Sequence, residues 1–296
     1  PFILISVILS FALIPILLTK RKPPNFKKIQ AMSLSELYKT SPLGMVGALL
    51  YGTTQSALFM LLAVYAASMN FTILEISFVT FLLGISGAIS QYPIGYFSDK
   101  LDRRLVLIYS TFGAALFALC AIYASSSMHF LSAYGVNKIW FYIFLTLFAF
   151  CSLPMFSLIL AHTNDSINKE RFVAAGAGLQ FVFGMGAMSG PFLCSLLMDF
   201  VGPNGFFVFH IFFHLLIGIF GIYRMKIRIV DENPDVQFVP VPQTITPVGL
   251  ELNPITEHIE EPYTDKVKNM LDRKGVSYKK DDKLNEETDT LSAKNK

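Results

Sequence analysis

The chain has 296 residues, of which 53% are hydrophobic and only 15% are charged, and its mean hydropathy is +0.52. Soluble domains are less apolar than this and interleave their apolar residues with charges, so the composition excludes an ordinary soluble protein. The formal net charge is only +3, so we expect no nucleic-acid-binding face and no nucleic-acid partner.

Seven segments are apolar over about 20 residues, the length that crosses the hydrocarbon core of a bilayer as a helix. In chain order they cover residues 1–19, 44–67, 76–97, 105–124, 139–161, 172–198 and 205–223. A transmembrane β-barrel would instead alternate apolar and polar residues over short strands. The sequence therefore predicts an all-α polytopic membrane protein with seven transmembrane helices.

The cations of the connecting segments lie on one side of this series of helices. Up to Arg228, fourteen Lys and Arg residues fall on that side, and only Lys138 falls on the other. The positive-inside rule places the first side in the cytoplasm. Residues 229–296 continue on the same side with Pro-spaced and then highly charged sequence, which predicts a largely disordered cytoplasmic tail.

The first predicted helix begins at Pro1 rather than at Met, and it lacks the basic start of a signal peptide. Two interpretations are open: the chain is a fragment whose upstream part is missing, or it is a complete protein that begins with this helix. The long basic connection 20–43 follows it. Within that connection the pair Ser33 and Glu36 fits a capping box, which predicts a short surface helix.

One short connection, between the third and fourth predicted helices, is dense in charge. It lies within "PIGYFSDKLDRRLVLIY", residues 93–109. Its glycine and charged positions are Gly95, Asp99, Lys100, Asp102, Arg103 and Arg104. The cations alone predict a cytoplasmic turn that fixes the topology.

The spacing of a glycine, an acid and three cations in this turn resembles the loop signature of the major facilitator superfamily of transporters. Members of that family carry the signature between their second and third helices, with a weaker copy between the eighth and ninth. Asp102 stands where the family usually has Gly, which suits the weaker copy. The tail sequence "FVPVPQTITPVGLELNP", residues 238–254, also resembles the tails of the YcaD-like bacterial branch of the superfamily.

The resemblance implies the major facilitator fold and an organisation of the chain within it. If the turn is the eighth-to-ninth connection, the seven helices are the sixth to the twelfth. Residues 1–19 are then the sixth helix, 20–43 the central cytoplasmic loop, 44–228 the second six-helix bundle and 229–296 the tail. The N-terminal half of the same protein and the lipid bilayer are the implied partners.

The function that the resemblance implies is transport of a small solute by alternating access, either secondary active or facilitative, in a bacterial inner membrane. In the family the charged turn is a latch between the two halves. The latch residues here would be Gly95, Asp99, Lys100, Arg103 and Arg104. The alternative is that these charges only fix the topology.

Polar residues in the segments that match the cavity-lining helices of the family are candidates for the substrate site. They are Tyr51, Gln55, Gln91 and Gln180. The open alternative for each is an interhelical hydrogen bond. His210 and His214 also share a helix face and invite a proton-relay or metal hypothesis, but packing is the favoured interpretation because no Cys or carboxylate accompanies them.

Catalytic signatures are absent from the sequence. There is no G-x-S-x-G, H-E-x-x-H or phosphate-cradling loop, and the three cysteines occur singly. We therefore expect no enzyme activity, no cofactor and no metal. His162 and Asp165 fall at the cytoplasmic end of their helix, where we expect solvation. The alternative function is a seven-helix receptor or sensor with a cytoplasmic tail.

Overall fold

The structure, a computed structural model, describes residues 32–131 and 138–227, together with helical positions 3, 6, 7, 10, 11 and 14. Apart from those positions, the predicted helix 1–19, the loop as far as residue 31 and the tail 229–296 lie outside the described residues. The helices are α1 Leu34–Thr40, α2 Pro42–Ser68, α3 Ile73–Lys100, α4 Arg103–Leu131, α5 Lys138–Ser152, α6 Met155–Asp165, α7 Phe172–Val201 and α8 Gly205–Ile227, with a 3₁₀ turn at Lys169–Arg171 before α7.

Six helical spans in the described part of the chain are long and apolar enough to cross a membrane. They are Pro42–Ser68, Ile73–Lys100, Arg103–Ser126, Lys138–Asp165, Phe172–Val201 and Gly205–Ile227. Each contains one of the predicted segments, from the second to the seventh, and most extend beyond it by up to about a turn; at the start of α3 a side-chain cap accounts for the extension. The all-helical membrane fold is confirmed over these spans.

The start of α3 shows how such a cap extends a helix. Thr72 Oγ1 accepts a hydrogen bond from Glu75 N at 3.4 Å, and the Glu75 carboxylate accepts one from Thr72 N at 2.8 Å. This reciprocal capping box satisfies backbone donors that the first helical turn leaves open. Glu75 also pairs with Lys138 at 2.5 Å, which ties the start of α3 to the start of α5.

The fifth predicted segment, 139–161, is not one continuous helix. It breaks at Leu153 and Pro154, between α5 and α6, where Pro154 has no N–H to donate to the preceding turn. The Tyr51 hydroxyl on α2 donates to the Leu153 carbonyl at 3.0 Å. A side chain of a neighbouring helix therefore satisfies a backbone acceptor at the break.

The helices α2 and α7 form the most extensive contact of the described bundle, and they meet backbone to backbone. A Cβ atom on Gly52 would lie 2.1 Å from the Phe183 carbonyl oxygen, and one on Gly186 would lie 2.0 Å from the Leu49 oxygen. A Cβ atom on Gly190, one turn beyond Gly186, would lie 2.0 Å from the Thr53 carbonyl oxygen, also on α2. The G-x-x-x-G spacing on α7 thus permits an approach that any side chain would block.

Buried aromatic side chains fill the core toward the end of the bundle that lies away from the charged turn. Tyr65 stacks on Phe206 with ring centroids 5.1 Å apart, and Phe207 meets the Tyr65 ring edge-on at 5.1 Å. All three rings are fully buried. This packing fixes α2 against α8.

The glycine contact generates a matched pair of substitutions on α7. Gly186→Ala places a methyl group against the backbone of α2, so we expect it to destabilise the protein by about 1–3 kcal/mol. Gly184→Ala is the control, since nothing lies within 4 Å of its Cβ position, and it should be neutral or mildly stabilising. Thermal unfolding of the detergent-purified variants measures both. Equal unfolding temperatures would contradict the close packing of α2 and α7.

Candidate functional site

The charged turn is as tight as the sequence suggests. α3 ends at Lys100 and α4 begins at Arg103, so only Leu101 and Asp102 connect them. Gly95 is buried on α3, one turn before Asp99. The side chains of the turn are therefore presented by the rigid ends of two long helices.

Arg103 is the centre of a buried ion-pair network. Its Nη2 lies 3.2 Å from Asp99 Oδ1, and its Nη1 lies 3.1 Å from Asp165 Oδ1 on α6. The side chains of Arg103 and Asp165 are 7% and 3% exposed, whereas that of Asp99 is 37% exposed. One guanidinium thus joins the end of α3, the start of α4 and the end of α6.

The expectation that His162 and Asp165 are solvated at their helix end is wrong. The last turn of α6 packs beneath the start of α4, and a carboxylate buried there requires a paired cation. His162, one turn earlier, is also buried. The sequence contained one signal for this pairing. Asp165 is a single acid at the end of an apolar segment, on the same predicted side of the membrane as the cations of the turn.

Arg104 is held within the turn by Asp102. The Asp102 carboxylate accepts hydrogen bonds from Arg104 N at 2.8 Å, Nε at 3.1 Å and Nη2 at 2.8 Å. Asp102 thereby caps the start of α4 and binds the guanidinium edge-on. This arrangement gives the acid at the usual glycine position a structural role.

The electrostatics of Asp102 reflect these contacts. Burial alone would raise its pKa, but the hydrogen bonds from the Arg104 side chain and backbone, with the charges of Arg104 and His162, hold the pKa below its ordinary value. Asp102 therefore stays ionised, and it is the acid most closely associated with Arg104.

Lys100 makes its contacts with its own helix. Its ammonium group donates a hydrogen bond to the Tyr96 hydroxyl and lies 4.2 Å from the centroid of that ring. Of the five predicted latch residues, the structure brings Asp99 and Arg103 into direct contact. Arg104 pairs with Asp102, and Lys100 lies on the exposed surface of α3.

A further ion pair lies at the same end of the bundle, between Glu36 and Arg171. Ser33 Oγ accepts from Glu36 N at 3.2 Å and starts α1, as the sequence predicts. Glu36 pairs with Arg171 at 2.7 Å, and the hydrogen bond from Arg171 lowers the pKa of Glu36 below its ordinary value. Leu37 packs against Gly178, so α1 lies across the start of α7.

The predicted cavity residues occupy different environments. Tyr51 is fully buried, donates to the Leu153 carbonyl and lies 6.1 Å from the Phe183 ring. Gln55 is 1% exposed, and neither of its amide atoms has a hydrogen-bond partner within the described part of the chain. Gln91 and Gln180 are half-buried on α3 and α7.

The two histidines of α8 are buried among aromatic rings. His210 Nδ1 lies 2.7 Å from the Phe206 carbonyl oxygen, and its Nε2 lies 3.1 Å from that of Thr54 on α2. His214 Nε2 lies 2.9 Å from Ser152 Oγ on α5. The pair therefore links α8 to α2 and to the end of α5.

Comparison with known proteins gives a family. The model described as "Major Facilitator Superfamily" matches residues 1–135 and, in a second match, residues 44–259. An uncharacterized MFS-type transporter of Yersinia enterocolitica is 23% identical over 238 residues, which cover 80% of this chain and 56% of the relative. The uncharacterized MFS-type transporter YcaD of Escherichia fergusonii is 20% identical over 206 residues, which cover 69% of this chain and 50% of the relative.

The chain spans about half the length of the curated relatives it matches. No solved structure matches it. The likeness to YcaD agrees with the resemblance of the tail sequence, and the family model covers far more than half of the chain. With six apolar spans and the charged turn between α3 and α4, the chain belongs to the Major Facilitator Superfamily of membrane transporters.

Proposed function

We propose that the chain is the C-terminal part of a transporter that moves a small solute across a membrane by alternating access. The observation that carries the proposal is the Arg103 network at the charged end of the bundle. It combines one deeply buried ion pair with one partly exposed pair on the same guanidinium. Such an arrangement suits an element with two states.

The two carboxylates of the network are not equivalent. Asp165 is buried and compensates Arg103 inside the bundle, so removing it would leave an uncompensated buried charge, at a cost of about 3–5 kcal/mol. Asp99 lies at the rim, where an exposed ion pair contributes at most about 1 kcal/mol. We therefore propose that Asp99 is the member that exchanges partners when the transporter changes state, while Asp165 keeps Arg103 in place.

In the proposal, the group with which Asp99 pairs in the other state belongs to the N-terminal half of the same protein. Two observations support the presence of that half: the chain spans about half of its relatives, and α3 and α7 are the least buried of the six spans. Their exposed faces would meet the other half or lipid. By the positive-inside rule, the charged end lies in the cytoplasm of a bacterial cell and the tail follows it there.

The substrate cavity is proposed to include Gln55. A buried amide whose donor and acceptor both lack partners costs about 1–3 kcal/mol for each group. Water or a polar group of the solute would remove that cost when the cavity opens toward α2. Gln91 and Gln180 are proposed to lie along the same path, on α3 and α7. Tyr51 has a partner at the α5–α6 break and is proposed to shape the cavity wall.

The proposed difference between Asp165 and Asp99 is tested by the effect of each substitution on the stability of the protein. Asp165→Asn should cost about 3–5 kcal/mol of unfolding free energy, whereas Asp99→Asn should cost about 1 kcal/mol or less. The control is Asp199→Asn, an exposed acid at the far end of α7, which should change little. Thermal or denaturant unfolding of the purified protein measures all three. Similar losses for Asp165→Asn and Asp99→Asn would show that Asp165 is not the anchor.

The transport role of Asp99 is tested by uptake. The solute is first identified by growth and uptake profiling of a strain that lacks the gene. Asp99→Asn in the protein at its natural length should then slow uptake several-fold, because the two states are no longer balanced, while membrane abundance stays normal. Asp199→Asn should transport at the rate of the unmodified protein. Unchanged uptake by Asp99→Asn would rule out the latch and leave the turn with a topological role.

A further inference from the structure

Gln55 is a polar residue enclosed at the middle of a membrane-spanning helix. It lies at the midpoint of α2, which covers Pro42–Ser68, and its side chain is only 1% exposed. Within the described part of the chain, neither its Nε2 nor its Oε1 has a hydrogen-bond partner. Buried polar groups normally have partners, and a buried amide without them destabilises the fold. Such a group is expected where a ligand supplies the missing partners.

The residues one helical turn to either side of Gln55 are aromatic. Tyr51 and Phe59 lie four residues before and four residues after it, so both share its face of α2. Tyr51 is fully buried, and its hydroxyl already donates to the Leu153 carbonyl at 3.0 Å. Phe59, by contrast, is 55% exposed. Gln55 therefore lies where the packed core of the bundle gives way to an open face of α2 that carries an aromatic ring.

Ionised side chains lie far from this depth of the bundle. In the six described spans, every Asp, Glu, Lys and Arg lies in the first or last turn of its helix. His210 contacts the carbonyl of Thr54, the residue before Gln55, but both of its ring nitrogens lie against carbonyl oxygens. An ion bound at Gln55 would therefore find no compensating charge among the described residues, and an uncompensated charge at this depth is costly.

A carboxamide presents a donor and an acceptor side by side. The group that pairs with both presents an acceptor and a donor in one plane, as another carboxamide or a lactam does. We propose that Gln55 binds an uncharged solute through such a donor–acceptor group, with an apolar ring of the solute lying against Phe59. The proposal rests on the proposed function, since the enclosed amide becomes reachable when the bundle opens.

The test uses three probes of similar size that differ in charge: benzamide, benzoate and benzylammonium. The protein at its natural length, purified in neutral detergent, is unfolded thermally with each probe, because a ligand that binds the folded state raises the unfolding temperature. Gln55→Met removes both amide groups at similar volume. Thr53→Val is the matched control, since the Thr53 hydroxyl lies on the same helix and donates within it, to the Leu49 carbonyl at 3.0 Å.

Benzamide should raise the unfolding temperature of the unmodified protein and of Thr53→Val. Gln55→Met should weaken the apparent Kd of benzamide about tenfold, the effect of losing two neutral hydrogen bonds. Without a probe, Gln55→Met should unfold at a higher temperature than the unmodified protein, because no unpartnered amide remains. An equal benzamide response in Gln55→Met, or an equal response of the unmodified protein to benzoate or benzylammonium, would overturn the proposal. So would a lower unfolding temperature of probe-free Gln55→Met, which would show that the amide has structural partners.

The binding measurement is independent of the transport measurement, because it needs no gradient and no second compartment. If Asp99→Asn slows uptake but benzamide does not bind, the proposed ligand class fails and the proposed function stands. If benzamide binds through Gln55 but Asp99→Asn leaves uptake unchanged, the latch fails and the proposed ligand class stands.

Discussion

The positive charge of a guanidinium buried at the end of a membrane bundle must be compensated by nearby carboxylates, and the Arg103 guanidinium thereby ties three helices together. Asp165 on α6 and Asp99 on α3 supply the two carboxylates that pair with it. Because α6 starts at the Pro154 break and Tyr51 hydrogen-bonds the carbonyl at that break, α2 also helps to place the helix that carries Asp165. The charged turn is therefore coupled to the interior of the bundle through ordinary packing and hydrogen bonds.

The contact between α2 and α7 limits how these helices can move relative to each other. Carbonyl oxygens of one helix lie where side chains of the other would stand, at Gly186 and Gly190 in particular. Helices in backbone contact cannot slide past each other without collision, so α2 and α7 are expected to move together. Under the proposed function, this rigid helix pair belongs to the half of the transporter that rocks against a second half.

The sequence was sufficient for the features that depend on local pattern. Apolar length predicted the six described spans, the Ser33–Glu36 pair predicted the start of α1, and the spacing from Gly95 to Arg104 predicted the family. Features that depend on which helix ends lie side by side could not be predicted from the sequence. The burial of Asp165 follows from the packing of α6 beneath α4. The cap made by Asp102 requires the two-residue turn. Among three intramembrane prolines, only tertiary packing distinguishes Pro154, which lies at a helix break, from Pro93, which lies inside a helix.

The central claim is that the bundle opens toward each side of the membrane in turn, and the accessibility of position 55 tests it most directly. Gln55→Cys is made in a variant whose native cysteines, Cys120, Cys151 and Cys194, are replaced by Ser or Ala, with Ala57→Cys as a buried control on the same helix. Right-side-out and inverted vesicles are treated with a membrane-impermeant maleimide. The account predicts labelling of residue 55 in both preparations and no labelling of residue 57. Labelling of residue 55 in only one preparation would contradict alternating access.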